Sequence, residues 1–279
     1  MPRPDGTQLA MLNAPAESSK GLVLAVHGFT GAKEDYLFLL PELAAKGWTA
    51  IALDLRGVHQ STSAGPYDLD TLASDLVALA KTIGEPVHLV AHSFGGLVAQ
   101  RAVVESPDSF ASLTLMCSGP AGFLASADLI PITIERVTMF SRALAGHTLE
   151  EAWDAKTAYE NVDMHPAMAS FLRERFIAGT HEAAVQNTFD VLHASDVVDA
   201  VAATGVPCAV MYGERDGTWS QVTQDEMAVR LGTSPILIPD STHLPMLENT
   251  DATADALVRI FEQAALPAVA GRQRVRPGP

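Results

Sequence analysis

His88–Gly96 reads HLVAHSFGG, and the fold turns on how that stretch is interpreted. An apolar run ends here and an amphipathic one begins, with Ser93 at the join. Residues 91–95, Ala-His-Ser-Phe-Gly, are a variant of the G-x-S-x-G pattern. A serine projected from a sharp strand-to-helix turn sits in a strained backbone conformation. Side chains two residues before and two after it would collide, so those positions must be small. Ala91 and Gly95 meet that demand, and Gly96 lets the following helix approach the sheet. Ser93 also lies at a helix N-terminus, where unpaired N–H groups and the helix dipole favour developing negative charge. An ordinary helix-capping serine would share the small neighbours. The apolar strand before it and the helix after it are the context that the pattern requires.

Outward from Ser93, the chain alternates strand-like and helix-like segments. Pro86–Ala91 is a strand and Phe94–Glu105 a helix, followed by a strand at Phe110–Cys117. Upstream, Gly21–Val26 (GLVLAV) and Trp48–Leu55 (WTAIALDL) are continuous apolar runs, the pattern of strands buried on both faces. Between them, Lys33–Lys46 carries Tyr36, Leu39, Leu40 and Leu43 at helical spacing, with Gly47 as its stop. Asp70–Ile83 repeats Leu72, Leu76, Leu79 and Ile83, with Gly84 as terminator. Such alternation predicts a parallel sheet with helices on both faces. The rhythm breaks after Ser118. Residues 120–200 show helical patterns only, punctuated by Pro131 and Pro166. It resumes with a strand at Val206–Tyr212, a helix at Gln221–Leu231, a short strand at Ile236–Pro239 and a helix at Glu248–Ala265. Residues 267–279, rich in Pro, Gly and Arg, read as a frayed tail.

A serine hydroxyl needs a general base, and the base needs a third group to fix its tautomer. Two residues stand just past strand ends, where open α/β sheets form their ligand sites. They are Asp216, ending Gly-Glu-Arg-Asp, and His243, ending Asp-Ser-Thr-His. Glu214 is the competing acid. Asp216 is preferred because the loop must extend beyond the strand before a carboxylate meets the histidine. An oxyanion needs two donors, each worth about 3–4 kcal/mol in the transition state. The backbone N–H of Phe94 is one candidate. The other is the N–H of Phe29, in the loop His27-Gly28-Phe29-Thr30-Gly31.

These pieces together resemble the α/β-hydrolase superfamily: HGFTG at 27–31, DLRG at 54–57, AHSFGG at 91–96, GERD at 213–216, and His243. They span most of the chain in the family's order. The resemblance implies an α/β-hydrolase fold with a mostly parallel central sheet and a helical cap inserted after the sixth strand. The core would comprise residues 1–119 and 201–266, and the cap 120–200. It implies a Ser93–His243–Asp216 triad, with His27 shaping its loop and Asp54 structural. Two departures stand out. Ala91 replaces the elbow's first glycine, and DLRG continues as Val58-His59-Gln60-Ser61. The second offers His59 as a substrate contact or as a solvated loop histidine.

The expected chemistry is acyl transfer on a carboxylic ester, lactone or thioester with a small-to-medium apolar acyl group. C–C bond hydrolysis, amide hydrolysis and cofactor-free haloperoxidase chemistry run on the same triad. A ligand-binding protein on a hydrolase scaffold is the non-enzymatic alternative. Within the cap, Phe123, Ile130, Ile132, Met139, Phe140, Trp153, Tyr159, Met164, Met168 and Phe171 supply the apolar surface: most pack the insert against itself and the core, and a few line a pocket.

The 279 residues carry 18 Lys and Arg against 33 Asp and Glu, a formal charge of −15 that discounts nucleic acid and anionic lipid as partners. Cys117 and Cys208, both in apolar stretches, make no disulfide framework. The histidines show no metal-ligand spacing, and no dinucleotide or phosphate-loop pattern occurs. The reading is therefore a cytoplasmic enzyme without metal or cofactor, acting on a small-molecule substrate, its oligomeric state open.

Overall fold

A computed structural model describes residues 6–265 apart from 62, 63, 127, 129 and 162. The tail expected at 267–279 lies outside the described residues. Seven strands form one sheet in the order β1-β3-β2-β4-β5-β6-β7. They are β1 (Met11–Ala14), β2 (Leu22–Val26), β3 (Thr49–Leu53), β4 (Val87–His92), β5 (Phe110–Met116), β6 (Cys208–Gly213) and β7 (Ile236–Ile238). All pairings are parallel except that of β1 with β3. β1 was invisible in the sequence. Its four residues, MLNA, contain no β-branched side chain, and they become a strand only by pairing with β3 at the sheet edge.

The helices flank the sheet. α1 (Leu39–Ala45) packs with α11 (Thr250–Ala264), and α2 (Leu69–Ile83) packs with α3 (Phe94–Glu105). β4, at the centre, is buried at all six positions, as a strand covered on both faces must be. One expected helix is interrupted. The segment from Lys33 begins as a 3-10 turn at Lys33–Tyr36, and α1 starts only at Leu39. Pro41 lacks the N–H that a continuous ladder would require, and it sits in the first turn of α1, where that loss is tolerated. The last expected helix is found as α11, preceded by the short α10 (Pro245–Glu248); between them Asn249 leaves helical geometry (φ −146°), and its side chain caps α11 by accepting from Ala252 N–H.

Between β5 and β6 lie α4 (Pro131–Leu144), α5 (Leu149–Glu160), α6 (Pro166–Ile177), α7 (His181–His193) and α8 (Val198–Thr204). In this sheet the strand before the insert is the fifth where the sixth was expected, because only four of the described strands precede β5. α8 packs on α3 in the sheet's helical layer, so the boundary expected at residue 200 falls within it. The insert has a small core of its own, Phe140, Leu144 and Ala152, with Phe29 and Phe176 packed against it. α9 (Gln221–Arg230) joins β6 to β7. No described helix is long and apolar enough to cross a membrane.

The strand order reverses at β2. The chain runs from β2 outward to β3 and then returns to place β4 on the other side of β2. The loops leaving the carboxyl ends of β2 and β4 therefore emerge side by side, which is where open α/β sheets form crevices.

Candidate active site

Ser93 occupies the turn between β4 and α3 with φ 53° and ψ −120°. For a residue with a Cβ this is the strained left-handed side of backbone space. The surroundings fix it there. Its N–H donates to Met116 O at 2.9 Å, and its carbonyl accepts from Gly96 N–H and the Ser118 hydroxyl, both at 2.8 Å. The glycines leave no alternative. A Cβ on Gly95 would stand 2.5 Å from His27 O, and one on Gly28 would stand 2.9 Å from Ser93 Cβ. The β2 loop thus lies directly against the serine. Neither the Phe29 N–H nor the Phe94 N–H has an acceptor among the described residues.

His27 shapes that loop. Its Nδ1–H donates to Gly28 O at 2.8 Å while Nε2 accepts from Leu55 N–H at 3.0 Å. Burial lowers its pKa, in keeping with a neutral ring used on both nitrogens. Asp54, fully buried, takes Lys33 N–H and Nζ at 2.8 Å each. Asp35 accepts from Ala32 N–H and, at 2.7 Å, from Arg175 of α6, which ties the loop to the insert.

Asp216 and His243 meet: His243 Nδ1–H donates to Asp216 Oδ1 at 3.0 Å. The carboxylate also accepts from Thr218 N–H and Gln224 Nε2, both at 3.1 Å. Burial alone would raise its pKa, but these hydrogen bonds and the His243 charge outweigh that and hold it below the ordinary carboxylate value. Gly213 lets the two loops close, since a Cβ there would meet Thr242 O and Ser241. Glu214, the rival acid, is exposed and turns toward Asp240 N–H.

Ser93 and His243 share the wall of one cavity of about 190 Å³. The Ser93 hydroxyl itself has no hydrogen-bond partner among the described residues. Nucleophile–base hydrogen bonds commonly tighten only when substrate is seated. The remaining walls include Phe29, Phe123, Val137, Phe140 and Val191, but also Arg136, Lys156 and Glu160 from the insert. Those three charges were not expected. Of the ten apolar residues of which most were expected to pack the insert, Ile132, Met139, Tyr159, Met164, Met168 and Phe171 are exposed instead. His59 neither lines this cavity nor is solvated: its side chain is 14% exposed and lies 3.6 Å from Glu34.

His92 is the residue that the sequence reading passed over. It is buried, and its Nε2–H donates to the backbone carbonyl of His243 at 2.7 Å, so the residue before the serine holds the loop of the distant histidine. Burial, with the nearby His243, pushes its pKa down to about 3 and keeps it neutral. Glu248 grips the same loop by accepting the N–H and hydroxyl of Thr242. The position of His92 beside Ser93 was the available signal, but its partner lies 151 residues away. Donor atoms of His92, Cys117 and His243 come within 4.8 Å of one another, a cluster no sequence spacing reveals. Cys117 is a poor candidate for holding an ion there, because burial and the nearby Asp216 raise its pKa well above the ordinary thiol value and keep it a thiol.

The profile of the alpha/beta hydrolase family matches residues 23–256. The pimeloyl-[acyl-carrier protein] methyl ester esterase of Neisseria meningitidis serogroup A is 26% identical over 260 residues, covering 90% of this chain and 79% of that one. Lipase 1 of Psychrobacter immobilis is 25% identical, covering 84% of this chain and 74% of the lipase. Among solved structures, an esterase from Exiguobacterium antarcticum superposes with a TM-score of 0.79 at 16% identity, covering 94% of this chain and 98% of the esterase. The chain belongs to the alpha/beta hydrolase family and is an enzyme of the hydrolase class.

Proposed function

We propose that this enzyme is a serine ester hydrolase in which Ser93 is the nucleophile, His243 the general base and Asp216 the group that orients it. The observation that carries the reading is the His243–Asp216 hydrogen bond at 3.0 Å beside a strained Ser93 on the same cavity wall. With its Nδ1–H committed to Asp216, His243 keeps Nε2 as the basic nitrogen. It takes the Ser93 proton as Oγ attacks the carbonyl, and the tetrahedral oxyanion is held by the N–H groups of Phe29 and Phe94. His243 then protonates the leaving group, and water repeats the cycle on the acyl-enzyme. The substrate is a carboxylic ester, lactone or thioester whose small-to-medium acyl group suits the phenylalanine and valine walls. The ester-cleaving activities named for the Neisseria and Psychrobacter relatives agree with this choice. The free cysteines fit a reducing cytoplasm.

Fluorophosphonate labelling of wild type and Ser93→Ala, with p-nitrophenyl acetate and butyrate hydrolysis in parallel, tests the assignment. Labelling and turnover both vanish in the variant if Ser93 is the nucleophile. Folded wild type that neither labels nor turns over an ester would remove the proposal.

A further inference from the structure

The cavity face of α4 is formed by Thr133, Arg136, Val137 and Phe140, the i, i+3, i+4, i+7 set of one helical stripe. Arg136 is the exposed, charged member of that stripe, beside the buried Val137 and Phe140. The other charges here are already matched. Lys156 Nζ lies 2.6 Å from Glu160 Oε2 and 5.1 Å above the Trp153 ring. Glu135, the neighbour of Arg136 in sequence, accepts the Tyr159 hydroxyl at 2.8 Å. Arg136 makes no ion pair or hydrogen bond with any described residue. In a chain with 33 acidic residues and 18 basic ones, an acidic partner is the easiest neighbour to find, and this arginine has none.

Arg136 also marks a position along the cavity. A second cavity of about 250 Å³ shares Arg136, Phe140, Lys156 and Glu160 with the first, but not Ser93 or His243. Arg136 is exposed and Ser93 buried, so the arginine stands at the outer end and the serine at the inner, and Phe140, in edge contact with Phe29 at 5.7 Å, lines the wall. A guanidinium presents a planar fork matched to a carboxylate. At the outer end both groups keep part of their hydration, so pairing avoids the full cost of burying charge.

We propose that Arg136 makes this cavity select esters whose short apolar acyl chain ends in a carboxylate. The ester carbonyl would meet Ser93, the methylenes the apolar walls, and the terminal carboxylate Arg136. The proposal rests on the hydrolase reading of Ser93 and His243 and adds the polarity of the far end of the substrate.

Monoethyl adipate and the ethyl ester of its terminal amide differ mainly in that end charge, and a pH-stat follows either. The wild-type ratio of kcat/KM, acid over amide, is expected to be about tenfold, the ordinary worth of a hydrogen bond to a charged group. In Arg136→Gln it falls to about one, and in Arg136→Glu below one. Glu160→Gln releases Lys156 and raises the ratio. Protection of Ser93 from fluorophosphonate by adipate over adipamide gives the same comparison without turnover. A wild-type ratio of one, or a ratio that survives Arg136→Gln, overturns the proposal and leaves the hydrolase reading standing. Failure of Ser93 to label at all removes both.

Discussion

The two walls of the cavity are built by opposite means. The sheet side is over-determined: Ser93 is fixed by three hydrogen bonds, and Gly28, Gly95 and Gly213 each sit where a Cβ would strike a neighbouring loop. The insert side rests on apolar packing: Phe140, Leu144 and Ala152 form its small core, and Trp153 stacks on Phe176 at 5.0 Å. Strain can be stored only where the surroundings leave no escape, and the proposed reacting groups sit on that first wall. Groups that choose between substrates can sit on a surface able to adjust, and the charges of Arg136, Lys156 and Glu160 sit on the second.

The largest effect expected from breaking this contrast is on chemistry alone. Ser93→Ala should lower kcat by at least about 10⁴-fold. The urea midpoint should stay close to wild type, because the backbone bonds that hold the turn do not involve the hydroxyl. A variant retaining a tenth of the activity would move the nucleophile elsewhere.

Next in size is a stability effect confined to the sheet side. In Gly95→Ala the new methyl meets His27 O at 2.5 Å and Val26 O at 2.9 Å, both backbone atoms that cannot turn aside. A loss of about 3 kcal/mol or more is expected, at the high end of overpacking costs. Urea denaturation reads it directly, and a loss under 1 kcal/mol would show that the elbow can relax.

The same contrast explains what could be read in the chain. The elbow was legible because its steric demand is local: Ala91, Gly95 and Gly96 lie within three residues of Ser93. That Asp216 and His243 meet was legible because sheet order fixes which strand ends adjoin. The choice of Asp216 over Glu214 followed from loop reach, which is a geometric property of short segments. Contacts between distant segments left no pattern. His92 supports a carbonyl 151 residues away, Asp35 meets Arg175 140 residues away, and Arg136 reads in sequence as one more surface cation on an amphipathic helix. β1 depends on a pairing partner, which periodicity does not detect.

A smaller effect distinguishes the sheet side by pH. It buries imidazoles in the neutral state: His92 at a pKa of about 3, His88 at about 4, and His27 below the ordinary value, each chiefly through burial. Their folded pKa values lie below the unfolded value near 6.5. Above that pH neither state is protonated and they cost nothing. As pH falls below it the unfolded chain takes up protons that the fold refuses, and stability drops. The urea midpoint should therefore fall between pH 7 and 5. If the three rings share the loss, His88→Gln, remote from Ser93, shortens it by about a third. An identical fall in the variant would mean that His88 is protonated in the fold.

The smallest effect belongs to the outer face of the insert. Met168 on α6 is 49% exposed and Phe171 is 41% exposed. Truncating a side chain already half in water removes little buried area and leaves no cavity to collapse. Met168→Ala should therefore change stability by no more than about 0.5 kcal/mol and leave ester turnover within about twofold, because Met168 is not on the cavity wall. Thermal denaturation and p-nitrophenyl butyrate hydrolysis measure both. A loss several times larger would mean that the outer face of α6 is packed as tightly as the elbow.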